Sequence, residues 1–261
     1  MPPRPQCERE VAPHCYGPTV FGFLRSWKRR RLAKREPSPA LAPLIDQHFP
    51  FAEQLDAPER ARFLTHLHVF FLEKHFEGAG GLEVDDEMKV VVAGSAARLA
   101  RNLPLDVYDD LVTVVLYPAA WKNPRGEGVH LGEAHQWGLV VLAWDAVRHG
   151  LYNPADGHDT ALHEFAHVLD LGDGRFDGTP ELNAWADYHA WTRVFSRHYE
   201  QLRARPNRSQ VLRAYGATNE AEFFAVATEA FFEKPAKLKD KAPELYEELR
   251  RYYRLDPVRN G

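Results

Sequence analysis

The segment His163-Glu164-Phe165-Ala166-His167 constrains this 261-residue chain more than any other feature. On a helix, residues four apart lie one turn above each other, so both imidazoles point to the same side. Two neutral imidazoles on one rigid turn supply half of a zinc site and lose little conformational freedom on binding. Glu164 stands beside the first of them, where a carboxylate can accept a proton from water that a metal has acidified. The flanks Ala161-Leu162 and Val168-Leu169 read as a buried helix, and buried histidines beside a buried glutamate require partners. The alternative is a hydrogen-bonded pair of core histidines.

A catalytic zinc site wants a third protein ligand and an open fourth position. Three sources compete for the third ligand. A metzincin pattern would place Gly three and His six residues after His167, but Asp170 and Asp173 stand there; Asp173 could ligate as a variant, although the missing glycine disfavours the tight turn. His189 and His198 lie on a downstream segment rich in Trp and Arg, with nothing in their surroundings to favour them. The third source is the run from Asn219 to Phe232, apolar almost all round, which carries Glu222 and Glu229 seven residues apart on one face. Carboxylates in so apolar a helix need a partner, and zinc suffices for one of them; the glutamate is therefore preferred.

Composition narrows the remaining possibilities. A formal net charge of -4 argues against a general nucleic-acid binder. The two cysteines, Cys7 and Cys15, rule out a disulfide framework and a Cys-based zinc site. No run approaches the roughly eighteen apolar residues of a membrane-spanning helix, and no secretory signal pattern opens the chain, so the cytoplasm is expected. Residues 1–36, with their prolines and the basic run Lys28-Arg29-Arg30-Arg31, are expected to form a flexible, solvated tail. Residues 37–261 are expected to form one domain.

A helix opens at Ala57-Pro58-Glu59 and continues through Phe63, Leu67, Phe70 and Phe71, with His66, His68 and His75 on it. Residues two apart on a helix diverge, so His66 and His68 are read as surface or half-buried residues and not as ligands. Strands are expected at Lys89 to Ala93, Leu111 to Tyr117 and Gly138 to Leu142. Helices are expected near Asp159–Leu171, Glu181–Arg203, Asn219–Phe232 and Pro243–Tyr253. The expected fold class is α+β, a small sheet followed by a mostly helical C-terminal half.

The blocks His163 to Asp170, Tyr215 to Val226 and Glu229-Ala230-Phe231-Phe232 together resemble the Mlc titration factor A family of zinc-dependent bacterial peptidases. Gly138 to Trp144 and the terminal Tyr252 to Pro257 fit the same resemblance, which covers roughly residues 40 to 257. The stretch from Tyr215 to Phe224 also resembles the catalytic domain of anthrax lethal factor. The resemblance implies a zincin-like domain with one zinc held by His163, His167 and Glu222. It implies Glu164 as general base, Tyr215 as an aid to the oxyanion, and Glu229 as a carboxylate behind the ligands. Asp170, on the face of His167, either orients a ligand imidazole through a hydrogen bond or is a plain acid at the helix C-terminus. The sequence departs from the family at Asp159, where Asn is common; helix capping survives that exchange. The implied substrate is a peptide or protein, with aminopeptidase-like cleavage one form of it, and the implied partner is an Mlc-like transcriptional repressor. A non-catalytic, repressor-sequestering protein and a zinc hydrolase acting on another bond are the rival readings.

Overall fold

The computed structural model describes Arg29, residues 31–32, 38–122, 129–130, 132–135, 138–182 and 184–258. Helices α1 (Ala42–His48) and α2 (Ala57–Glu73) lead into strand β1 (His75–Gly78), and helix α3 (Asp86–Ala100) into strand β2 (Thr113–Tyr117). The short pair β3 (Trp121–Lys122) and β4 (Val129–His130) follows, then β5 (Gly132–His135) and β6 (Leu139–Ala143). The rest is helical: α4 (Trp144–Tyr152), α5 (Thr160–Asp170), α6 (Trp185–Ala204), α7 (Glu220–Glu233), α8 (Pro235–Lys241) and α9 (Pro243–Tyr253). This is the expected α+β class.

The main sheet has the order β1-β2-β6-β5. β1, β2 and β6 run parallel, with Thr113 opposite Leu139 and Leu116 opposite Leu142. The parallel centre is buried, with Val114, Leu116, Val140 and Leu142 all inaccessible, as parallel strands covered on both faces require. β5 pairs with β6 antiparallel, Glu133 opposite Val141, and forms one edge of the sheet.

The helix from Ala57 forms as expected. Asp56 caps it by accepting from Glu59 N at 2.7 Å, and Pro58 occupies its first turn, where a missing N–H costs nothing. His75, however, lies in β1 beyond the helix end, and His66 and His68 are buried instead of half-exposed. The expected strand at Lys89–Ala93 is also a correction, because those residues lie inside α3. Asp85 caps α3 through Met88 N at 2.8 Å, and Asp86 and Glu87 fill the first turn. Val90, Val91 and Val92 are all fully buried, so the run has apolar surroundings on every side. α3 packs against both α2 and α5. Burial of this kind outweighs the strand preference of β-branched residues. Gly94 belongs to the same packing, since a Cβ there would lie 2.0 Å from the Phe49 ring.

One buried core runs from Leu41 to Leu255 and includes Phe165 of α5, Phe223, Phe224 and Phe231 of α7, and Tyr253 of α9. Most of the N-terminal stretch expected to be a tail, both cysteines included, lies outside the described residues. Arg29 is described and buried: its Nε and Nη2 donate to Glu73 at 2.9 and 2.6 Å, and its Nη1 donates to Asp109. No described helix is long and apolar enough to cross a membrane.

Candidate metal centre

α5 is capped by Asp159, whose carboxylate accepts from Leu162 N at 3.0 Å, so aspartate serves the capping role here. The helix is buried on nearly every side, and His163 and His167 project from successive turns. α7 packs against it and brings Glu222 in from its first turn. Asn219 fixes that turn by accepting from Glu222 N at 2.8 Å.

The donor atoms converge. His163 Nε2 lies 2.9 Å from Glu222 Oε2 and 3.2 Å from His167 Nε2, and His167 Nε2 lies 3.4 Å from Glu222 Oε2. Tetrahedral bonds of the length zinc makes to nitrogen and oxygen put neighbouring donors about 3.3 Å apart. The three side chains therefore already stand at the spacing of one face of such a tetrahedron. Among the described residues this is the group of three metal-type ligands that meets, all within 4.8 Å. Asp173, His189 and His198 are not part of it; Asp173 instead accepts from Arg175 N in the loop after α5.

Behind His163 lies Glu229, which is fully buried. Its Oε2 accepts from His163 Nδ1 at 3.0 Å and from Arg213 Nη2, and its Oε1 accepts from Asp159 N at 2.9 Å. An imidazole that donates from Nδ1 in this way turns Nε2 to the cluster, where loss of the Nε2 proton frees a lone pair for a metal.

The electrostatics favour a cation. Burial pushes Glu164 up to about 8; the nearby His163 opposes this, and the charges of Glu222, Glu229 and Glu133 add to it. Burial opposes protonation of His163, but Glu229, Glu222 and Glu164 outweigh it and lift the imidazole to about 10. His167 is shifted down, first by burial. Burial would raise Glu222, yet the two histidines hold it well below the ordinary carboxylate range. A buried knot of carboxylates that stabilises positive charge this strongly, with donors at tetrahedral spacing, suits a divalent metal.

Tyr215 sits in a short 3-10 turn, Ala214–Ala217, and is 51% exposed. Its hydroxyl donates to Glu222 Oε1 at 3.3 Å, and its ring centroid is 5.9 Å from that of His163. Burial and the Glu222 charge push the phenol up to about 12, so it remains a donor at neutral pH. Asp170 does not reach an imidazole. It ends α5 facing the next loop, where Oδ2 accepts from Gly178 N at 3.0 Å, and burial pushes it up to about 7.

Three residues beside the site carry no signal in the sequence. Arg213 is one arginine among many until the fold sets it against Glu229. Phe176 lies in the loop after α5, its ring 4.8 Å from that of His167. Gly132, in β5, lies directly against Glu164.

The chain is similar over most of its length to several known proteins. The chain is 36% identical over 248 residues to the uncharacterized protein slr2042 of Synechocystis, covering 90% of each chain. It is 27% identical over 252 residues to the Mlc titration factor A of Salmonella gallinarum, covering 88% of this chain and 91% of that one. The Mlc titration factor A of Yersinia pestis is 26% identical over 227 residues, covering 81% of this chain and 83% of its own. Residues 24–254, most of the chain, match the profile of one metallopeptidase family, and the protein belongs to that family, the glucose-regulated metallo-peptidases M90.

Proposed function

We propose that the protein is a zincin-type peptidase that hydrolyses peptide bonds with one zinc ion held by His163 Nε2, His167 Nε2 and Glu222. The observation that carries this reading is the spacing of the three donors, 2.9, 3.2 and 3.4 Å. When bound, zinc supplies a Lewis acid that polarises a carbonyl and acidifies water. Glu164 then serves as the base that takes the proton of the attacking water and passes it to the leaving amine. Glu229 fixes the His163 tautomer and ring plane through the Nδ1 bond. The Tyr215 hydroxyl, beside Glu222 and half open to solvent, donates to the oxygen on which charge develops. Among the described residues the outer edge of β5 has no strand partner, and an extended peptide pairing there would pass alongside Glu164.

The relatives named Mlc titration factor A favour a second role, binding of an Mlc-like repressor, which needs a surface and no turnover. The cytoplasm is the compartment where such a partner would be met.

The test is metal content followed by hydrolysis. The wild type is expected to hold about one zinc per chain, as the ligand set implies, and Glu222→Ala to lose it. Glu164→Ala is expected to keep the metal, lose peptide hydrolysis and retain any partner binding. A folded wild type that takes up no zinc after reconstitution refutes the enzyme reading and leaves repressor binding in its place.

A further inference from the structure

Glycine weakens a strand, because it loses more backbone freedom on folding than any other residue and offers no side chain to pack. Its presence in β5 therefore calls for a reason. The backbone supplies none, because Gly132 is not among the residues with positive φ. The surroundings do. A Cβ on Gly132 would lie 2.4 Å from both Cγ and Oε1 of Glu164 and 2.6 Å from Cδ, and these are its three nearest atoms.

We infer that Gly132 is a positioning residue: the missing side chain lets the Glu164 carboxylate lie flush against the edge-strand backbone, at the place where it acts. The inference rests on the reading of Glu164 as the base. The contact involves no metal ligand, since the atoms met belong to Glu164 and not to His163, His167 or Glu222. Moving the contact from 2.4 Å out to the 3.4 Å of ordinary packing displaces the carboxylate by 1.0 Å. Glu164 can absorb that shift by rotating its side chain, so the fold changes little while the base leaves its station. A displacement of this size at a reacting group costs about a hundredfold in rate.

The experiment is a set of variants in the full chain: Gly132→Ala, Glu164→Ala and the double variant G132A/E164A. Zinc affinity, measured by competition with a chelator, should be the same in Gly132→Ala as in wild type, while kcat for a peptide falls about a hundredfold. The melting temperature provides a readout independent of turnover. Gly132→Ala should lower Tm by about 2–4 °C in the wild-type background and leave it unchanged in the Glu164→Ala background. An equal Tm loss in both backgrounds, or unchanged kcat in Gly132→Ala, overturns the inference. A zinc-loaded wild type that cleaves no peptide overturns the peptidase reading instead, and the Tm cycle still decides the packing claim.

Discussion

Replacing Glu229 by glutamine keeps the shape of the side chain and removes its charge from the most enclosed point behind the metal cluster. The carboxylate accepts three donors: Asp159 N on one oxygen, and His163 Nδ1 and Arg213 Nη2 on the other. A glutamine has one accepting oxygen. If that oxygen faces Asp159 N, the amide NH2 meets two donors; if it faces His163 and Arg213, the NH2 meets only the backbone N–H of Asp159. The second arrangement wins and leaves one buried N–H unsatisfied, at about 1–3 kcal/mol. The bonds from Arg213 and His163 then lose their charge assistance, about 1 kcal/mol in total because the arginine side chain remains 26% exposed and partly hydrated. Glu229→Gln should therefore cost about 3 kcal/mol in the metal-free protein, a fall in Tm of about 6–12 °C. Loosening the His163 ring should weaken metal binding by about 10–100-fold. Denaturant melts of the chelator-treated protein and metal competition titrations measure the two effects separately. A variant as stable and as tight-binding as wild type would refute the claim that Glu229 organises the ligand set.

Two further outcomes follow from other parts of the fold. His66 is buried, and that burial, reinforced by Arg29 and Arg62, lowers it to about 4 despite a backbone hydrogen bond at Leu103. The unfolded chain therefore binds the proton more readily, and stability present above pH 6.5 is lost as pH falls towards 4, by up to about 3 kcal/mol; His66→Gln should flatten that limb of the pH–stability curve, and an unchanged limb would assign the acid sensitivity elsewhere. At the start of α5, Asp159→Ala should cost about 1 kcal/mol through loss of the cap to Leu162 N. Asp159→Asn should cost nothing measurable, since the amide oxygen can cap and a charge buried beside Glu229 and Glu233 is removed; a thermal melt decides between them.

The parts of this protein legible from residue order are those set by short-range geometry. The turn separating His163 from His167, the cap at Asp159, the apolar run that carries Glu222 and Glu229, and the helix at Pro243–Tyr253 all depend on spacing within one element. The strand expected at Lys89–Ala93 failed because β-branched residues fit a strand and a fully enclosed helix alike. Only the packing of α3 between α2 and α5 separates the two. His66 and His68 failed for a related reason: residues that diverge around a helix can both be buried when the helix is covered on two sides.

The sequence by itself determined the chemistry on offer: two imidazoles on one face, a carboxylate between them, and glutamates in an apolar helix that require partners. It could not determine which of the competing acids meets the histidines, that Asp170 turns away to the next loop, or that Arg213 and Gly132 stand against Glu229 and Glu164. The pairings of Glu222 with His163, Arg213 with Glu229 and Gly132 with Glu164 join residues 16 to 59 positions apart. Periodicity fixes the direction of a side chain within its own element, whereas distance between elements is set only when the whole core packs.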